Sequence, residues 1–316
     1  MTDDILAKET TPRDAKIAAL MLVLATVFWG FGFTWAKDVG DRINAAAGMA
    51  GEAMLGPVVA LSVRFFFGAV LWLAIFPSAR RGWTIGTLWR GGVIGGFLSA
   101  AVIAQHVGLT QTSAATMAFL TSLTVVIVPL MIAVGLRRLP RKRVVLAVAV
   151  ATAGIWLLTG AKAERPSVGE LYGIACATFY SVQLILLNIL APGDNPMRLT
   201  PAIFLVSGVI SVAAAFVAPG HMSLPVSVLA TPHVAIDLAL LTIFSTLVSF
   251  GSMTIFQPRI DPTRATLIYM LEPIFAAAYA WVARGETMTP AGAAGAALIL
   301  LANFAAEIDL FRRSES

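Results

Sequence analysis

The feature that most constrains this chain is apolar sequence without charge: residues 17–36 and 144–158 contain no Asp, Glu, Lys or Arg. A helix built from such a run has no polar stripe, so it needs lipid or protein on every side. The pattern recurs along the chain. Of its 316 residues only 12% are charged and 58% are hydrophobic, whereas a soluble domain carries about 25% charge. A membrane β-barrel would read as segments of about ten alternating residues, which these continuous runs exclude. The expected fold class is an all-α integral membrane protein.

Runs of about 20 residues bounded by charge, proline or glycine predict ten transmembrane helices, at 16–37, 57–76, 88–109, 112–135, 142–160, 168–190, 199–218, 235–257, 262–283 and 290–308. Polar tails, 1–15 and 309–316, flank them. The first run is too long for a signal-peptide core and no cleavage site follows it, so it reads as a retained anchor. Cys176, the lone cysteine, lies in an apolar run and forms no internal disulfide.

The net charge of +5 would suggest nucleic acid in a soluble protein, but here the basic residues collect in the short connections. With a cytoplasmic N-terminus, the inside segments hold Lys8, Arg13, Lys16, Arg80, Arg81, Arg90, Arg137, Arg138, Arg141, Lys142, Arg143, Arg198, Arg259, Arg264, Arg312 and Arg313. The outside segments hold Lys37, Arg42, Lys162, Arg165 and Arg284, and Arg64 lies within the second span. That asymmetry predicts both termini inside, in a bacterial-type inner membrane, with the lipid bilayer as surroundings and no nucleic-acid partner.

A shift of 149 positions lays Ser113-Ala114-Ala115-Thr116-Met117 on Pro262-Thr263-Arg264-Ala265-Thr266, and the connection at Arg137 on Gly285-Glu286. Two five-helix halves emerge, 16–160 and 168–308. Because five is odd, the second half enters the membrane the other way round. This is the inverted repeat of alternating-access carriers, whose central site faces each side in turn.

Trp29-Gly30, Thr112-Ser113-Ala114-Ala115, Leu271-Glu272-Pro273-Ile274-Phe275 and Gly285-Glu286 with Gly292 and Gly295 after it together resemble the EamA-like branch of the drug/metabolite transporter superfamily. The resemblance covers residues 18–308. It implies a ten-helix carrier of a small metabolite, in many members an exporter of amino acids or related compounds. The first half departs from the pattern, with Leu136-Arg137 in place of Gly-Glu and Thr124 in the place of Pro273.

Glu272 is the most informative position, because a carboxylate near the midplane costs about 2.5–3.5 kcal/mol on insertion scales. Two readings stand: a protonatable group facing the cavity that couples transport to protons, or a carboxylate that fixes the helix beside Pro273. Pro129 and Pro273 read as helix interruptions, either hinges or static kinks. Trp29, Phe33, Thr116, Phe119, Tyr180, Gln183, Ser249 and Tyr269 join Glu272 as candidates for a mainly apolar cavity with a few polar anchors. Arg64 reads as an interface anchor or the partner of a carboxylate, with anion binding the alternative, and His106 as an interfacial histidine. Gly91, Gly92, Gly95 and Gly96, and Ala291, Gly292, Gly295 and Ala296, permit close helix approach. Packing within the chain is the default for them and a homodimer face on the last span the alternative.

No phosphate-cradling loop, metal-ligand spacing or GxSxG elbow occurs, so no metal, cofactor or catalytic residue is assigned and a gradient is the expected energy source. The expected function is a secondary transporter of a small organic metabolite. The rivals are a non-transporting membrane sensor or scaffold, which would lack a central cavity, and an intramembrane enzyme, which would need clustered catalytic groups.

Overall fold

The computed structural model describes residues 12–135, 142–158, 167–259, 265 and 268–311, and among them the regular structure is entirely helical. The α-helices are α1 (Pro12–Ala46), α2 (Leu55–Ile75), α3 (Ile85–Leu109), α4 (Ala114–Thr121), α5 (Thr124–Gly135), α6 (Lys142–Leu158), α7 (Val168–Leu190), α8 (Pro196–Val217), α9 (Pro232–Leu240), α10 (Ser249–Phe256), α11 (Glu272–Arg284) and α12 (Pro290–Phe311). A π-helical stretch, Leu241–Val248, joins α9 to α10.

Among the described residues, seven helical stretches are long and apolar enough to cross a membrane: Lys16–Ala46, Leu55–Ile75, Ile85–Leu109, Ala114–Gly135, Val168–Gly193, Pro196–Val217 and Pro232–Arg259. Ala149–Leu158 and Pro290–Ala302 are shorter apolar helices. The calls placed on 1–11 and 312–316, on Arg137, Arg138, Arg141, Lys162 and Arg165, and on Pro262, Thr263, Arg264 and Thr266 lie outside the described residues.

Two expectations are corrected. The first helix runs on to Ala46, so Lys37 and Arg42 lie within it and not in a connection. They do not end the helix because each is held: Lys37 Nζ donates to the carbonyls of Leu109 (2.5 Å) and Thr112 (2.8 Å), and Arg42 pairs with Asp237 at 3.8 Å. The fourth span is interrupted at Ser122 and Leu123, between α4 and α5, while position 129 lies inside the helical run of α5. Hydroxyls produce that interruption without proline. Ser122 and Thr124 donate to the carbonyls of Phe119 (2.7 Å) and Thr121 (2.7 Å), acceptors that the broken ladder frees, while Thr121 bonds back to the Met117 carbonyl within α4 (2.9 Å).

The packing exchanges the two halves. α6 lies on α12 and α2 on α8, each pairing one half with the other; α3 packs on α7 and α8 as the α9 to α10 stretch packs on α1 and α2; α1 packs on α11 as α7 packs on α4 and α5. Shared close approaches explain the tightest of these. A Cβ on Gly295 would lie 2.5 Å from the Gly154 carbonyl oxygen, and one on Gly91 would lie 2.5 Å from the Ala202 Cβ. Two of the sequence's small-residue positions are therefore occupied by packing within the chain.

Candidate functional site: a cavity between two broken helices

The second interruption falls at Met270 and Leu271, after which α11 starts at Glu272. Under the 149-residue shift this coincides with the first: the amide of Val125 donates to the Ser122 carbonyl, and that of Ile274 to the Leu271 carbonyl, both at 3.1 Å. Pro273 thus opens a helix and does not kink the interior of one. In the first turn its missing N–H costs nothing, because first-turn amides have no helical acceptor.

Both breaks face one central cavity, with Thr121, Ser122, Thr124 and Val125 from the first and Glu272 and Pro273 from the second on its wall. Non-helical backbone at membrane depth needs protein or a wet cavity beside it, and here it has both. The empty space, with the open solvent at its mouth included, is about 790 Å³.

Aromatic rings give the cavity its apolar character. Trp29 sits 5.1 Å from Phe250 and edge-on to Tyr269 at 5.6 Å between ring centroids, its indole N–H donating to the Ser245 carbonyl at 3.1 Å. Gly30 lets α1 reach α11 at this level: a Cβ there would lie 2.7 Å from the Phe275 Cβ and 3.0 Å from the Glu272 carbonyl oxygen. The Trp29-Gly30 and Glu272-Pro273 motifs are therefore one contact. Tyr269 donates to Gln257 at 2.8 Å, and Gln257 in turn to Asn188 at 3.0 Å.

The charged groups of the wall are treated differently. Glu272 has no hydrogen bond or ion pair to a described residue. Arg64 is only 3% exposed. Its Nε donates to Thr246 Oγ1 (2.8 Å), its Nη2 to Ser245 Oγ (3.3 Å), and its Nη1 lies 3.2 Å from His106 Nε2. His106 Nδ1 is 3.0 Å from the Val102 carbonyl; a carbonyl cannot donate, so Nδ1 carries the proton and Nε2 accepts from the guanidinium. Tyr180 lies within electrostatic reach of both Arg64 and Glu272.

Residues 167–306 match the EamA-like transporter family. That EamA-like match covers less than half of the chain, which with its long apolar helices is a multi-pass membrane protein similar to that transporter family over its second half. A protein of Archaeoglobus fulgidus described as an uncharacterized transporter is 27% identical over 199 residues, 62% of this chain and 58% of that relative. The chain thus spans less than two thirds of that relative's length. A solved crystal structure is 20% identical with a TM-score of 0.62, covering 95% of this chain and 99% of the other. That likeness concerns the fold.

The matched region reaches into the first half through its Gly285-Glu286 step. Gly285, at φ 64°, ends α11 in the left-handed region, where glycine carries no penalty. Glu286 then accepts from the Ala114 amide at 3.2 Å, at the N-terminus of α4, where a carboxylate is favoured. Arg284 binds Asp38 and lies 3.5 Å from Asp41 and 3.4 Å from Glu286, and Trp35 donates to Tyr279 at 2.9 Å. These contacts tie the C-terminal part of α11 to α1 and to the start of α4.

The structure brings together Trp29, Phe33, Tyr180, Gln183, Tyr269, Glu272 and Pro273 on the cavity wall. It places Thr116, Phe119 and Ser249 elsewhere, each for a local reason. Thr116 takes part in the α4 N-cap with Ser113, Phe119 is buried among Leu120, Leu123 and Ile299, and Ser249 donates to the carbonyls of Ala25 and Phe244. Arg64 and His106 also line the cavity; both are buried, and Arg64 has no acidic partner among the described residues. Sequence alone offers only their scarcity as a signal, because two partners of Arg64, Ser245 and Thr246, lie in the other half and the third, His106, on a different helix.

Proposed function

We propose that this chain is a secondary transporter of a small organic metabolite, such as an amino acid or related compound, working as an exporter in a bacterial-type inner membrane. It crosses the membrane ten times with both termini cytoplasmic. Two inverted five-helix halves, 16–160 and 168–308, rock about the central cavity so that it opens to each side in turn. A gradient drives the cycle, and Glu272 is the protonatable group that couples it.

The observation that carries this reading is the cavity itself, walled by both broken helices and holding an unpartnered carboxylate. A sensor or scaffold has no need of such a space. In that cycle the contacts of Trp35 with Tyr279 and of Arg284 and Glu286 with the first half part and re-form, and ion pairs near a surface part at small cost.

The test is efflux from cells expressing the chain across a panel of amino acids and nucleosides, beside the Glu272→Ala form. The expected result is efflux of at least one class that Glu272→Ala abolishes. No efflux of any class would count against transport. A cysteine placed near Gly285 should react only with outside label, and cytoplasmic labelling would overturn the orientation.

A further inference from the structure

We infer that Arg64, with Thr246, Ser245 and His106 orienting it, forms a subsite for one carboxylate group of the cargo. The inference rests on the central cavity being the transport site and specifies one end of what it binds. A guanidinium has five N–H donors; the hydrogen bonds of Arg64 engage one on each nitrogen. Two N–H groups therefore remain without a described partner, one on each terminal nitrogen, and these are the pair that binds a carboxylate as a fork.

All three partners are neutral. His106 receives its bond through a lone pair, so it adds no charge, and no acidic group among the described residues lies within 4.0 Å of the guanidinium. A buried cation held by neutral groups is costly, and a partner of opposite charge offsets that cost. The Phe65 ring, 5.2 Å from the guanidinium carbon, adds only a weak attraction. A purely structural arginine would not need to line the cavity. Gln183, on the same wall and 2% exposed, keeps its side-chain carbonyl oxygen without a described partner, so the wall also has an acceptor for a donor carried by the same ligand. A single guanidinium balances the charge of a monoanion, whereas a phosphate dianion would leave charge unbalanced.

The experiment compares matched acids and amides, L-leucine, L-threonine and L-glutamine against their C-terminal amides, by their effect on the thermal unfolding of the purified full chain. The expected result is that at least one acid stabilises the native chain more than its amide, that Arg64→Gln weakens binding of that acid about ten- to hundredfold, and that amide binding is unchanged. Arg64→Lys, which keeps the charge but not the fork, should retain part of the preference and serves if Arg64→Gln does not fold. Acid and amide acting equally on the native chain, an acid preference that survives in Arg64→Gln, or no effect of any acid would each overturn the subsite. None of these touches the transport reading, which stands or falls on efflux.

Discussion

The two helix breaks occupy equivalent places in the two halves and are built from different side chains. At 122–123 the hydroxyls of Ser122 and Thr124 take up the freed carbonyls; at 270–271 Pro273 opens the next helix directly. Leu123 of the first break stands where Glu272 stands in the second. The backbone interruption therefore forms without a carboxylate, and Glu272 bonds nothing that would hold its own helix. Of the two readings that sequence left open, the helix-fixing one finds no side-chain hydrogen bond among the described residues, and the proton-coupling one is the account's central claim.

The same substitution of means recurs at the connection after the first helix of each half. Asn44 holds the first, donating to the Gly51 (3.1 Å) and Ala53 (2.7 Å) carbonyls and accepting from the Gly56 amide at 2.7 Å. Asp194 holds the second, paired with Arg90 at 3.3 Å and Arg198 at 3.9 Å. Burial works against its charge, but hydrogen bonds from Thr87, the Asn195 amide and Arg90, with Arg198 nearby, hold its carboxyl below the ordinary aspartate range. An amide thus holds one connection and an acid with two arginines the other.

These comparisons can be broken by substitution. The largest stability effect belongs to Gly30→Val, which drives a side chain into α11 backbone at the second break; a loss of about 1–3 kcal/mol in unfolding free energy is expected, and an unchanged value would contradict the contact. Asp194→Asn should cost about 1–3 kcal/mol at neutral pH, because it leaves Arg90 and Arg198 short of an acceptor. Because the folded value is lowered, this stability is present above the ordinary aspartate range near pH 4 and is lost as pH falls through the folded value. Asn44→Asp gives no such benefit to the first connection, since a carboxylate cannot donate to Gly51 and Ala53. Thr124→Val removes one hydroxyl of the first break and should cost about 1 kcal/mol in chemical denaturation, while Pro273→Ala, at a first-turn position, should change stability by less.

Much of the helical fold was legible because its cause is local: apolar runs give helices, and the shift of 149 positions lays the turn at Ser122 on the turn at Leu271. The site was legible where scarcity marked it, at Glu272, and where aromatics lay beside a motif, at Trp29 and Phe33. The first break was not, because Ser122 and Thr124 look like ordinary helix residues until their hydroxyls are seen on freed carbonyls, whereas Pro129 draws attention and lies within α5. Arg64 was misplaced because Ser245 and Thr246 stand 181 and 182 positions away; distance from a span's end could not reveal them.

The most direct test of the central claim is efflux by the Glu272→Gln form in proteoliposomes with and without an imposed proton gradient. The account predicts that the fold is kept and that the gradient no longer accelerates efflux. Full transport with unchanged gradient dependence would contradict it and return Glu272 to a structural role.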